Sequence, residues 1–181
     1  AEIARLVTDS TLRFPWLITA VVVIGNYCAY TYLTPLLIAA GFESTRVALL
    51  LMGYGIVGVA GNLIAGALAT RRGATVPVLG RLLVGFLTAL SVSMMGLFLF
   101  RSAPPAALIL LLAWGLTYAG LPVLLQTMVF AAAPDAREAA TSVYVLVFNV
   151  SIALGAFAGG LGIDRFGPAG PMVAGTLICC A

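Results

Sequence analysis

Apolar residues fill long runs of the chain, and short clusters of charge separate these runs. Within a run, apolar side chains occupy every face of a helix instead of alternating as they do in a spanning barrel. A helix rises 1.5 Å per residue, so a hydrocarbon core about 30 Å thick takes about 20 residues to cross. The six longest stretches without charge are 14–42, 47–70, 82–100, 102–134, 139–163 and 166–181.

The first five uncharged stretches are long enough to cross a bilayer, whereas the sixth starts a helix near Pro168 and is too short. We therefore predict an all-α membrane protein with six transmembrane helices, of which the last is incomplete. Residues 1–13 are predicted to be a polar cytoplasmic lead-in, and 14–181 a single six-helix bundle. Because the chain begins with Ala, we expect it to be a fragment or one half of a longer protein.

Composition excludes several classes of protein. Hydrophobic residues make up 62% of the chain and charged residues only 8%, against about 25% charged in a soluble domain. The net charge is +3, and there is no Lys-rich patch to bind nucleic acid. The chain has no His, and its cysteines are Cys28 and the adjacent Cys179 and Cys180, which do not form an ordinary zinc or CxxC site, so we expect no metal site and no cofactor. The expected surroundings are the lipid bilayer.

The nine arginines predict the orientation of the chain in the membrane. Cytoplasmic loops carry an excess of basic residues. With alternating loops, Arg46, Arg101 and Arg165 fall on one side, and six arginines fall on the other: Arg5, Arg13, Arg71, Arg72, Arg81 and Arg137. We therefore place the side with six arginines in the cytoplasm.

The chain matches itself at an offset of 94 residues. The pairs are Gly61 with Gly155, Gly66 with Gly160, Arg71 with Arg165, Gly73 with Gly167 and Pro77 with Pro171. The offset contains three membrane spans. Because three is an odd number, the two copies have opposite orientations in the membrane. This predicts a three-plus-three inverted repeat, a device of secondary transporters.

One loop carries a family resemblance. Residues 66–78, GALATRRGATVPV, resemble the loop signature of the major facilitator superfamily, which is roughly G-x-L-a-D-R-x-G-R-K. Thr70 stands where that signature has Asp, and Ala74 and Thr75 replace its basic pair. The matching positions are Gly66, Leu68, Ala69, Arg71 and Gly73.

Three further segments resemble the drug and sugar efflux branch of that superfamily, the arabinose-efflux-like or drug:proton antiporter group. They are YTYLTP at 30–35, WGLTYAGLPVLLQT at 114–127 and FNVSIALGAFAGGLGIDRFG at 148–167. The degenerate loop signature implies the C-terminal half of a twelve-helix fold, helices 7–12, whose partner is a missing N-terminal six-helix half.

The resemblance implies a function as well as a fold. It implies a transporter that exports a small molecule such as a drug or sugar by alternating access. Proton antiport is one mechanism by which such export could be driven. The location that it implies is the bacterial inner membrane. The alternative is a six-span channel or an oligomerising scaffold without a second half. An intramembrane Ser–His protease is excluded because the chain has no His.

Polar and aromatic residues within the spans are the candidates for the substrate path. Lipid-facing positions do not need such residues, and a buried amide is costly unless it is paired. In the resembled fold, helices 7, 8, 10 and 11 border the cavity, which selects Tyr30, Trp114, Gln126 and Asn149. Each of them has an alternative role in an interhelical hydrogen bond.

The loop motif supplies candidate gate residues, which are Gly66, Arg71, Gly73, Asp164 and Arg165. We expect Gly66 and Gly73 to allow a tight turn through positive φ. A gate closed by a charge pair needs a carboxylate, and Thr70 does not supply one at the first turn. At the second turn, Asp164 and Arg165 provide both the acidic and the basic partner. Every acidic residue lies outside the predicted spans, so any coupling carboxylate is expected in the missing half.

Overall fold

The computed structural model describes residues 10–71, 73 and 75–180, and within these residues it contains helices and no strands. The helices are α1 Ser10–Tyr30, α2 Leu33–Ala39, α3 Ser44–Arg71, α4 Val76–Phe100, α5 Pro104–Ala132, α6 Arg137–Phe166 and α7 Ala169–Cys180. Five spans are long and apolar enough to cross a membrane, and α7 is a shorter apolar helix. The predicted fold class, an all-α membrane protein, is confirmed.

The first span consists of α1 and α2, which together cover Thr11–Ala39. Their helical hydrogen bonds are interrupted at Thr31 and Tyr32. The cause is Pro35, which has no N–H to donate to the Thr31 carbonyl and disfavours helical backbone in front of it. The Tyr32 hydroxyl donates to the Ala156 carbonyl at 3.1 Å, so this interruption is fastened to α6.

The observed helices are longer than the uncharged stretches. Arg81 lies inside α4, Glu138 in the first turn of α6, and Asp164 and Arg165 in its last turn. The expectation that Asp164 lies in a turn was therefore wrong. A long charged side chain on a terminal turn can extend towards water, so helices need not stop at charges. Residues 10–13 of the predicted lead-in belong to α1, and residues 1–9 lie outside the described part.

Helices α1 and α5 occupy the centre of the bundle. The most extensive contacts join α5 to α3 and α4, and α1 to α6 and α7. The bundle therefore consists of two three-helix groups, and α4 and α7 contact each other across the boundary between them. The side of the bundle away from α4 and α7 is called the front face below.

The inverted repeat is confirmed by the helix boundaries and by the packing. Shifted by 94 residues, the starts of α1, α3 and α4 fall at 104, 138 and 170, within one residue of α5, α6 and α7. Helix α1 is thus equivalent to α5, α3 to α6 and α4 to α7. The α3–α5 and α4–α5 contacts of one group correspond to the α6–α1 and α7–α1 contacts of the other, and all four are extensive. The two central helices are thus equivalent members of opposite repeats.

Paired glycines bring the helices of each group into close contact. A Cβ atom built on Gly61 would overlap the Leu116 carbonyl of α5, and one on Gly155 would lie 2.5 Å from the Ile24 carbonyl oxygen of α1. Gly61 and Gly155 are equivalent in the repeat. Small residues allow such approaches where no hydrophobic force between helices exists.

We predict that Gly61→Ala destabilises the protein by about 1–3 kcal/mol, because the added methyl group forces α3 away from α5. Gly55→Ala is the matched control, since a Cβ there meets nothing within 4 Å and Ala favours a helix. Thermal unfolding in detergent can be followed through exposure of the buried thiols Cys28 and Cys179, in a Cys180→Ser background. Equal unfolding temperatures for the two variants would contradict the close approach.

Candidate functional site

Five aromatic side chains form a cluster where α1, α3 and α5 meet. They are Tyr27, Tyr30, Tyr54, Trp114 and Tyr118, called the aromatic cluster below. The ring centroids of Tyr30 and Tyr54 are 5.1 Å apart, and those of Tyr54 and Trp114 are 5.9 Å apart. Tyr27 lies 6.1 Å from both Tyr30 and Tyr118. These separations are typical of attractive aromatic pairs.

Trp114 is at the base of this cluster and has no exposed surface. Its Nε1 donates a hydrogen bond to Oδ1 of the buried Asn26 at 2.8 Å, which joins α5 to α1 across the boundary between the two groups. Tyr30, in contrast, is only half-buried. The structure therefore brings two of the predicted path residues together, with Tyr30 nearer the surface and Trp114 beneath it.

Gln126 lies on the same helix as Trp114 but not in the aromatic cluster. Twelve residues of helix separate the two, which is about 18 Å. Gln126 is half-buried, and its side-chain amide makes no hydrogen bond within the part of the chain that the structure describes. It is displaced from the cluster towards the predicted cytoplasmic end of α5.

Asn149 is exposed on α6, and its Nδ2 donates to the Val145 carbonyl of its own helix at 2.7 Å. In the repeat it is equivalent to Gly55 of α3. The nearby Tyr144 donates its hydroxyl hydrogen to the Pro122 carbonyl of α5 at 3.2 Å. Despite Pro122, α5 continues as one helix to Ala132.

A pocket of about 400 Å³ opens beside the aromatic cluster, between α3 and α5. We call it the tyrosine pocket, and it is lined by Tyr54, Gly55, Gly58, Val59, Asn62, Leu63, Gly115, Tyr118 and Ala119. A separate groove that includes Ile64 and Leu116 lies against α4. Because Asn62 and Ile64 are two residues apart, they point about 200° apart around α3. The tyrosine pocket therefore belongs to the front face.

Sequence reasoning missed Tyr54 and Asn62 and did not select Tyr118. The sequence contains the pattern that could have identified them, because Tyr54 and Asn62 are polar residues in the middle of an apolar span. The same criterion selected the candidates on the other helices. Apart from Thr70 at its end, the uncharged stretch 47–70 contains no other polar side chain. Their proximity to Tyr118 depends on the α3–α5 packing, which no local pattern encodes.

In each of the two repeats, one glycine of the turn has the positive φ that a tight turn requires. Gly73 has φ of 86° and Gly167 has φ of 68°, so these equivalent residues both adopt the left-handed conformation. The expectation for Gly66 was wrong, because it lies inside α3. Its carbonyl accepts a hydrogen bond from the Thr70 hydroxyl at 2.9 Å, and the helix continues to Arg71.

Among the described residues, charged side chains lie at the ends of the bundle. Arg71, Asp164 and Arg165 are exposed, and none of them forms an ion pair within residues 10–71, 73 and 75–180. The same residues contain no cluster of potential metal ligands. The middle of the front face therefore offers aromatic rings and amides, which suit an uncharged ligand.

These features define a polytopic α-helical membrane protein with an inverted repeat. The family model described as Major Facilitator Superfamily matches residues 5–181. The chain belongs to the major facilitator superfamily, a family of transporters, as its loop signature implied.

Curated relatives agree with this family. The chain is 33% identical over 171 residues to "Uncharacterized MFS-type transporter YtbD" of Bacillus subtilis, which covers 90% of this chain and 41% of the relative. It is 32% identical to "Uncharacterized MFS-type transporter YfhI" of the same organism, with 93% and 41% covered. A "Probable sugar efflux transporter" of Helicobacter pylori is 27% identical, with 92% and 41% covered. The chain thus spans about two fifths of the length of these relatives.

We predict that Trp114→Phe lowers the free energy of unfolding by about 1–3 kcal/mol, because it leaves the side-chain Oδ1 of Asn26 buried without a donor. Tyr30→Phe is the control, since it keeps the ring and removes a hydroxyl group without a hydrogen bond in the described chain. Thermal unfolding in detergent measures both. In a double-mutant cycle, Asn26→Leu with Trp114→Phe should cost less than the sum of the single changes, and strict additivity would contradict the bond.

Proposed function

We propose that this chain is the C-terminal half of a longer transporter that exports an uncharged small molecule by alternating access. The observation that supports this is the composition of the front face, where rings and amides gather at mid-span without a charged side chain. An N-terminal six-helix half would cover this face. Rocking of one half against the other would open the enclosed cavity to each side in turn.

The relatives support both parts of this proposal. Their greater length leaves room for a second half, and the protein named for sugar efflux suggests a neutral substrate. Because these relatives come from bacteria, the location that we propose is the bacterial inner membrane. Membership of a transporter family favours transport over the channel or scaffold considered above.

Gate contacts are proposed for the charged ends of α3 and α6. Arg71, and Asp164 with Arg165, stand on exposed last turns beside the positive-φ residues Gly73 and Gly167. Exposed charges without an ion pair in the described chain are available to partners on the other half. Because the mid-span positions of this chain carry no acidic side chain, a proton-coupling carboxylate is proposed to lie in that other half.

Transport by the full-length protein tests the proposal. In everted membrane vesicles, we expect accumulation of radiolabelled lactose or chloramphenicol, both uncharged, and no accumulation of the cation ethidium. Failure to accumulate either neutral compound, or accumulation of ethidium alone, would contradict the proposed export of an uncharged substrate.

In the same assay, Gln126→Ala should reduce accumulation at least fivefold while leaving membrane insertion and thermal stability unchanged. The expected cause is the loss of an amide that is free to bind substrate, since it has no hydrogen bond in the described chain. Thr127→Val is the control, because the adjacent Thr127 hydroxyl already donates to the Val123 carbonyl at 2.7 Å. Unchanged transport by Gln126→Ala would remove Gln126 from the substrate path.

A further inference from the structure

The tyrosine pocket is present in one repeat, and its counterpart in the other repeat has a different composition. At an offset of 94 residues, Ile152 replaces Gly58 and Val21 replaces Gly115. Both exchanges put a branched residue in place of a glycine. The inverted repeat therefore does not require glycine at these two positions. In the α3–α5 pair, Gly115 allows the Tyr54 backbone to approach closely, since a Cβ on Gly115 would lie 2.6 Å from the Tyr54 carbonyl oxygen.

The polar groups of the pocket are also specific to that pair. Asn62 is equivalent to Ala156, and Tyr118 is equivalent to Ile24, so the counterpart positions are apolar. Packing of this fold is thus compatible with apolar residues at both positions. The Asn62 amide and the Tyr118 hydroxyl group are therefore not required by the packing of this fold, although the Tyr118 ring packs against Tyr27.

The Asn62 side chain lacks a hydrogen-bond partner among the described residues. It lies nine residues before the end of α3, about 13 Å from that end, and its amide is exposed. The Tyr118 hydroxyl group is buried, and the neighbour with which it interacts is the Tyr27 side chain. The other exposed amide, Asn149, bonds to its own helix. An unpaired amide within the hydrocarbon core is energetically costly unless it forms hydrogen bonds with water, a ligand or another helix.

The shape of the pocket favours a small ligand as the occupant. Its volume of about 400 Å³ lies within the range of ligand sites, and two tyrosine rings form part of its wall. Gly55 leaves open space at this wall, because a Cβ built on it meets nothing within 4 Å. No charged residue lines the pocket.

We propose that the tyrosine pocket is a binding subsite for an uncharged, hydroxylated ring, which lies against Tyr54 and Tyr118 and exchanges hydrogen bonds with the Asn62 amide. This inference rests on the proposed transport function and assigns part of the substrate site to α3. The Tyr118 hydroxyl group supplies a second hydrogen-bonding position at the pocket wall.

Binding of 4-nitrophenyl β-D-glucopyranoside to the purified full-length protein, measured by calorimetry, tests this subsite. Gly55→Leu adds a side chain to the pocket wall at a position where a Cβ meets nothing within 4 Å, and Asn62→Ala removes the pocket's amide. We expect each variant to raise the Kd at least tenfold. Gly80→Leu is the matched control, since Gly80 of α4 also has open space around its Cβ position and lies outside the pocket.

The outcomes separate the subsite from the proposed function. Wild-type affinity in both Gly55→Leu and Asn62→Ala, or no binding by the unaltered protein, would overturn the subsite. Loss of the folded size-exclusion peak in those variants, but not in Gly80→Leu, would show instead that a helix of the other half occupies the pocket. In each of these cases, continued accumulation of lactose or chloramphenicol in vesicles would leave the transport function standing.

Discussion

The close approach of helix backbones at glycine is the constraint on which the rest of this structure depends. Lipid is as apolar as a leucine side chain, so helices associate through packing and polar contacts instead of hydrophobic burial. Gly61 admits the Leu116 carbonyl, and Gly115 lets the Tyr54 carbonyl oxygen come within 2.6 Å of a Cβ position. These contacts fix the register of α3 on α5. That register in turn places the Tyr54 ring against Trp114.

The same constraint decides where polar side chains can lie. Between the two three-helix groups, contacts are fewer, and the Trp114–Asn26 hydrogen bond and the aromatic cluster join α5 to α1 there. This pair satisfies Trp114 Nε1 and Asn26 Oδ1, which lipid could not, whereas the buried Asn26 Nδ2 has no partner among the described residues. Asn62 and Gln126 are not satisfied in this way within the described chain, and both offer unpaired amides for contacts outside it. On the front face, the buried Trp114–Asn26 pair thus holds helices together, and the unpaired amides of Asn62 and Gln126 lie nearer the surface.

The spans and the repeat could be predicted from the sequence because both depend on patterns along one chain. Length without charge predicted five spanning helices, and the pairing of Gly73 with Gly167 correctly predicted equivalent turns. Helix ends could not be predicted from charge, since Asp164 and Arg165 remain helical. The complete burial of Trp114 depends on which face α5 turns towards α1. Spacing along α5 places Trp114 and Tyr118 on one face, because they are four residues apart, but it does not show which neighbouring helix that face contacts.

Water access to the front face tests the central claim most directly. In the full-length protein with Cys180→Ser, we would compare labelling of Asn62→Cys and Ile64→Cys by a membrane-impermeant maleimide. Both side chains are exposed in this structure and lie at nearly the same depth, but they face opposite sides of the α3–α5 pair. A thiol must ionise in water to react, so we expect Asn62→Cys to be labelled and Ile64→Cys to stay unlabelled. Labelling of neither, or equal labelling of both, would contradict a water-filled path along the front face.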